Sequence, residues 1–172
     1  MSSHNQNFFY NHLGQAMYDA VKLIHLVAAI VWIGGMTFML IALRPAALAT
    51  LEAQTRARLM GQVWQRFFLL VMISIVALFT TGTNLYTTAF RAVKAATGAG
   101  SVPLGWNLML GIGIVMILIF GHIYFAGFRK FKRAVAAAEW SLAAKAAEQI
   151  HLMTVINFVL GWLAIAAVRL IR

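Results

Sequence analysis

Cysteine is absent from this chain, which excludes disulfides, thiolate metal sites and cysteine redox chemistry on either side of a membrane. Any metal held here must use His, Met, Asn or carboxylate. The signatures of nucleotide and hydrolase chemistry are missing as well: there is no Walker A segment, no GxGxxG, no HExxH and no Ser/His/Asp set. Internal repeats and low-complexity tails are also lacking. The N-terminal stretch MSSHNQNFFYNHLGQAMYDA has no basic region ahead of its apolar run, and that run is too long for the core of a removable signal. It is expected to stay as the first helix. Proline occurs twice, at Pro45 and Pro103.

What remains is apolar. The chain is 62% hydrophobic, well above the roughly 45–50% of an ordinary soluble domain. Its mean hydropathy of +0.83 points the same way. Four spans are expected, at about 20–43, 66–90, 105–128 and 150–170, each close to the ~20 residues that cross ~30 Å of hydrocarbon. The expected fold is all-α and integral to the membrane: one four-helix up-and-down bundle over 20–172, preceded by a polar arm, 1–19. The arm's His4 and His12 read as solvated tail residues.

The formal charge of +10 does not point to nucleic acid, because the basic residues bracket apolar spans instead of forming one stripe. Nine of them, Arg44, Arg56, Arg58, Arg66, Arg129, Lys130, Lys132, Arg133 and Lys145, fall around the first and third loops, against five elsewhere. By the positive-inside rule those loops are cytoplasmic and both termini face out. In a bacterial inner membrane the termini are then periplasmic.

Span 1, VKLIHLVAAIVWIGGMTFMLIALRP, carries the most chemistry. Intramembrane ionisable side chains are costly, so His25 is by default a functional-site candidate. Helical steps of three and four from it reach Trp32, Met36 and Met39 on one face. Gly34 and Gly35 beside that face allow a neighbouring helix or a flat cofactor to come close to the backbone. Pro45 is expected to end the helix.

Beyond it, the first loop reads as a short cytoplasmic helix running into span 2. That span turns polar at its outer end through Thr80, Thr81, Thr83, Asn84 and Tyr86, at the level of Lys22 and His25. The second loop is a flexible Gly/Ala/Ser-rich connection. Span 3 carries Asn107 at its outer end and His122, with Gly111 near the same face, before an aromatic and basic exit, GHIYFAGFRKFKR. A short amphipathic cytoplasmic helix, RAVAAAEWSLAAKAAEQI, is expected before the last span, with Trp140 at the headgroups. Span 4 opens with His151 and places Asn157 and Gly161 on one face.

Depth counting at ~1.5 Å per residue puts His25 roughly 8 Å below the outer surface and His122 roughly 9 Å above the inner one, about 13 Å apart in height. At the inner level His122 has Met36 and Met39 at matching depth, with His151 nearer the surface. Imidazole and thioether ligands suit a haem iron or Cu(I). Haem also needs small residues beside it and cations for its propionates, for which Gly34, Gly35, Gly111, Lys22, Arg66 and Arg129 are candidates. The non-functional alternative for each histidine is a hydrogen-bonded structural or interfacial side chain.

VKLIHLVAAIVWIGGM followed by LRPAA, a helix ending in TG, GHIYFAGFRKFKRAVAAAEW and INFVLGWLAIAAV together resemble the copper resistance D (CopD) domain family of bacterial inner-membrane proteins. The K-x-x-H and W-x-G-G pattern of span 1 and the histidine late in span 3 also look like the haem-binding J-type protoporphyrinogen oxidases. The resemblance implies b-type haem held at His25 and His122, with Lys22 and Trp32 as supporting matches. It also implies electron transfer in the membrane, with quinone or a periplasmic electron carrier as partner, in a homodimer. The copper name implies as alternative the binding or transport of copper through His25, Met36, Met39 and His122. A third reading is an accessory structural subunit of a respiratory complex.

Overall fold

The computed structural model describes residues 3–98 and 100–171, with side chains from His12 onward. Helix is the state of nearly all of them, arranged as four rods. The first rod is α1 (Ser3–Phe38), a π-helical turn (Met39–Leu43) and α2 (Arg44–Thr50). The second is α3 (Ala53–Thr97), and the third is α4 (Leu104–His122), a π-helical turn (Ile123–Phe128) and α5 (Arg129–Ala136). The fourth is α6 (Trp140–Leu170). All four are long and apolar enough to cross a membrane. The expected polar arm is helical from Ser3 and continuous with the first span, and the side chain of His4 lies outside the described residues.

Two expectations are corrected. Pro45 does not end the first helix. An α-helix would bring its ring against the carbonyl of residue 41 and leave that carbonyl without a donor. The chain instead widens into a π-helical turn just before it, where the Arg44 N–H reaches back to Met39 O, and Pro45 then sits in the first turn of α2. The run 133–150 also does not form one separate helix before the last span. Its sequence is divided by a turn at 137–139, the first part closing α5 and the rest opening α6 without a break.

That turn is a Schellman closure. Glu139 N–H bonds Ala134 O at 2.9 Å and Ala138 N–H bonds Val135 O at 3.2 Å. The residue at the left-handed position is Ala138, with φ 56°, where glycine would carry no Cβ penalty.

The rods pair as two antiparallel hairpins, first with second and third with fourth. Hydrophobic collapse contributes little between helices in lipid, so close approach and ring contacts must hold them. Gly35 lies against the Phe67 ring, and Gly105 lies against the backbone oxygens of Ala167 and Ile171. Gly161 receives Ile33 and Met116, whose atoms stand 3.2–3.3 Å from where a Cβ would be. Between the hairpins runs an aromatic seam. Phe68 meets Phe120 and Phe128 edge-on, at 5.7 and 5.1 Å between centroids, and Trp64 meets Phe131 at 4.9 Å. Trp32 closes on Phe120 at 6.3 Å.

Gly105→Ala is expected to force the third and fourth rods apart at the Leu104 end and cost about 1–3 kcal/mol. Gly111→Ala, where no heavy atom lies within 4 Å of the added methyl, should be close to neutral. Thermal unfolding in detergent compares the two. Ala138→Gly relieves the left-handed alanine and should raise the unfolding midpoint, reflecting a stabilisation of up to about 1 kcal/mol.

Candidate functional site

Near the end of the bundle that holds Lys22 and Asn107, labelled outer after the expected topology, α1 places His25 over Gly82 of α3, whose missing side chain leaves room for the imidazole: a Cβ there would stand 3.2 Å from Cε1. The ring's Nδ1 lies 2.8 Å from Thr81 Oγ1. Thr81 is buried, and its hydroxyl donates to Ala77 O in the preceding turn. A hydroxyl has one proton, and this one is committed to the carbonyl, so Thr81 accepts from His25. The imidazole is thereby fixed as the Nδ1–H tautomer, with the lone pair on Nε2. Nε2 has no hydrogen-bonding partner among the described residues. A second polar link at this end joins the hairpins, where Tyr86 OH donates to Asn107 Oδ1 at 2.7 Å. The polar outer level read from spans 1, 2 and 3 is thus assembled as two hydrogen-bonded pairs.

The remaining candidates are dispersed. Because Trp32 and Phe120 touch, His25 lies two turns outward of that level and His122 half a turn inward, a height difference of about 13 Å by helical rise. Two imidazoles sharing a metal, each about 2 Å from it, need to stand within about 4 Å, so these two do not converge in one chain. His122 is exposed, whereas Met36 and Met39 are buried in the core at 2% and 7% exposure. Trp32, Met36 and Met39 do share the inward face expected of them. Gly35 is filled by Phe67 and offers no slot, while Gly34 and Gly111 open outward.

The cations expected near a cofactor separate to opposite ends. Lys22 lies at the outer end, over the Tyr18 ring at 4.2 Å and 3.5 Å from Asp19. Arg66 and Arg129 are exposed toward the inner end. His151 is half-buried one turn beyond Glu148, and its enclosed Nδ1 has no partner among the described residues. No group of three or more His, Asp or Glu side chains able to hold a metal occurs among the described residues.

One polar feature escaped the sequence reading. Arg44 reaches across from the first rod to both oxygens of Glu148 on the fourth, at 2.7 and 2.9 Å. The pair is 104 positions apart, so no spacing rule reveals it. Asn157 is buried as the face it shares with Gly161 implies, at 1% exposure, and its Oδ1 has no partner among the described residues. A helical chain with four helices of membrane-crossing length and apolarity has the make-up of a multi-pass membrane protein. No protein-family model, curated protein or solved structure matches it.

Replacing Asn157 by Leu, of similar volume, removes an unsatisfied buried carbonyl. It is expected to stabilise the bundle by about 1–3 kcal/mol in thermal unfolding.

Proposed function

We propose that the chain is a membrane haem protein, binding b-type haem through Nε2 of His25 and carrying electrons within the bilayer. The observation that supports this is the state of the imidazole. A metal-binding histidine characteristically donates its other N–H to a fixed acceptor, which sets the tautomer and holds the ring in place. His25 does this through Thr81, leaving Nε2 unpartnered among the described residues. When bound, haem would supply one-electron chemistry, with its potential tuned by the axial ligand and the hydrogen bond behind it. Lys22, one turn outward of His25 on the same helix, is the cation on this chain suited to a propionate. His122, lying inward and exposed, is not the second ligand to the same iron from this chain in this reading.

The charge distribution supports the accompanying topology: an inner-membrane protein with both termini periplasmic and the basic first and third turns in the cytoplasm. Quinone or a periplasmic electron carrier would be the redox partner.

Protein purified from haem-replete cells is expected to show a Soret band that shifts on dithionite reduction. His25→Ala should abolish the band, and His122→Ala should leave it. Thr81→Val should retain haem but shift the midpoint potential, because the imidazole loses its acceptor. A colourless preparation, or a Soret band that survives His25→Ala, sinks the haem reading. Stoichiometric copper by elemental analysis without a Soret band would favour copper handling by His25, Met36, Met39 and His122. A colourless, metal-free protein would favour the accessory-subunit reading.

A further inference from the structure

At the inner end of the third rod, a cleft of about 520 Å³ opens between α5, the turn at 137–139 and the first turns of α6. Its walls include Arg129, Lys130 and Arg133 of α5, Glu139 of the turn, and Phe125 and Leu142. The haem reading does not use this place, and His25 lies at the other end of the bundle.

The composition of the walls is graded. Three cations face one carboxylate, an excess of two positive charges around the cleft. Arg129 is held over the Phe125 ring, 5.3 Å from its centroid, so its guanidinium is partly ordered before anything binds. Beside the cations the wall turns apolar, with Phe125 61% exposed and Leu142 across the turn. Phe131, on the side of α5 away from the cleft, is anchored in the core at 1% exposure, so the cationic face has a fixed orientation.

Depth decides what such a cleft meets. Counted from Leu104 at ~1.5 Å per residue, Phe125 stands about 31 Å along the rod, the thickness of the hydrocarbon core. Arg129, Lys130 and Arg133 lie about 6–12 Å farther on, in the headgroup layer. A soluble anion needs no apolar foot, and a zwitterionic headgroup is poorly matched to an excess of cations. An amphiphile with an anionic head fits both ends of the cleft.

We infer that this cleft is a binding site for an anionic phospholipid, its phosphate held by Arg129, Lys130 and Arg133 and its upper acyl chain lying along Phe125 and Leu142. Glu139 sets one edge of the headgroup space. The lipid bridges the third and fourth rods at their turn.

The test is native mass spectrometry of the full chain in detergent, titrated with phosphatidylglycerol or phosphatidylcholine, with and without inorganic phosphate. Phosphatidylglycerol adducts should exceed phosphatidylcholine adducts and persist in millimolar phosphate. The Arg129→Gln/Arg133→Gln double variant should lose about tenfold in phosphatidylglycerol binding. Arg58→Gln/Lys145→Gln, which removes the same charge from exposed positions at the same end, should lose far less. Equal binding of the two lipids overturns the proposal, as does an equal loss in both double variants, which would mark a diffuse surface potential. Displacement of the lipid by phosphate would assign the cations to a free anion and also overturn it. The lipid and phosphate arms use the wild-type chain, so they decide the matter even if a variant does not fold.

Discussion

A backbone carbonyl or N–H in hydrocarbon must find its partner within the chain, and the architecture follows from this constraint. Among the described residues, breaks in the helices fall in short turns between rods, beside Leu51 and Glu52, at 98 and 100–103, and at 137–139. Within the rods the chain changes pitch before it stops. Pro45 shows this most clearly, because its missing N–H would expose a carbonyl in mid-rod, and the π-helical turn at 39–43 absorbs the defect. The same economy governs the hydroxyls. Thr37, Thr80, Thr81, Thr83, Thr87 and Thr154 each donate to a carbonyl one turn back, so they leave no unpaired donor in the apolar layer.

With backbone groups satisfied inside each rod, cohesion between rods depends on shape. Glycines admit a ring at Gly35 and a backbone at Gly105, and the aromatic seam around Phe68 locks the two hairpins at the inner half. Toward the outer half the links are polar: His25 to Thr81 within the first hairpin and Tyr86 to Asn107 between hairpins. The Arg44–Glu148 pair adds a tie at the inner end, but Glu148 is 66% exposed and screening leaves such a pair little stabilising weight.

Constraint and chemistry meet at His25. An acceptor that has already spent its own proton fixes the tautomer of the ring, and this depends on Thr81 being one turn beyond Ala77 in α3 and opposite His25 in α1. Asn157 is the contrasting case. It is 1% exposed, yet its carbonyl has no such partner among the described residues.

From the sequence alone, the number and approximate placement of the spans were legible, because hydrocarbon thickness and apolar run length are both local quantities. So was the inward face of Trp32, Met36 and Met39, which helical periodicity gives directly, and so was the shared level of His25 and the Thr/Asn end of span 2. The helix limits were less legible. The rule that proline stops a helix does not include the π-helical detour at Met39–Leu43, and the Ala-rich run before span 4 hides a turn that only the left-handed Ala138 reveals. Contacts between rods were not legible, because they depend on how the rods sit against each other: Phe67 filling the space at Gly35 and Thr81 arriving at His25 within the first hairpin, and Arg44 reaching Glu148 across to the second. The sequence determined which residues lie at which depth, since depth accumulates at a fixed rise along each helix. Azimuth between rods is set by packing, so only the tertiary structure decided which of those residues face one another.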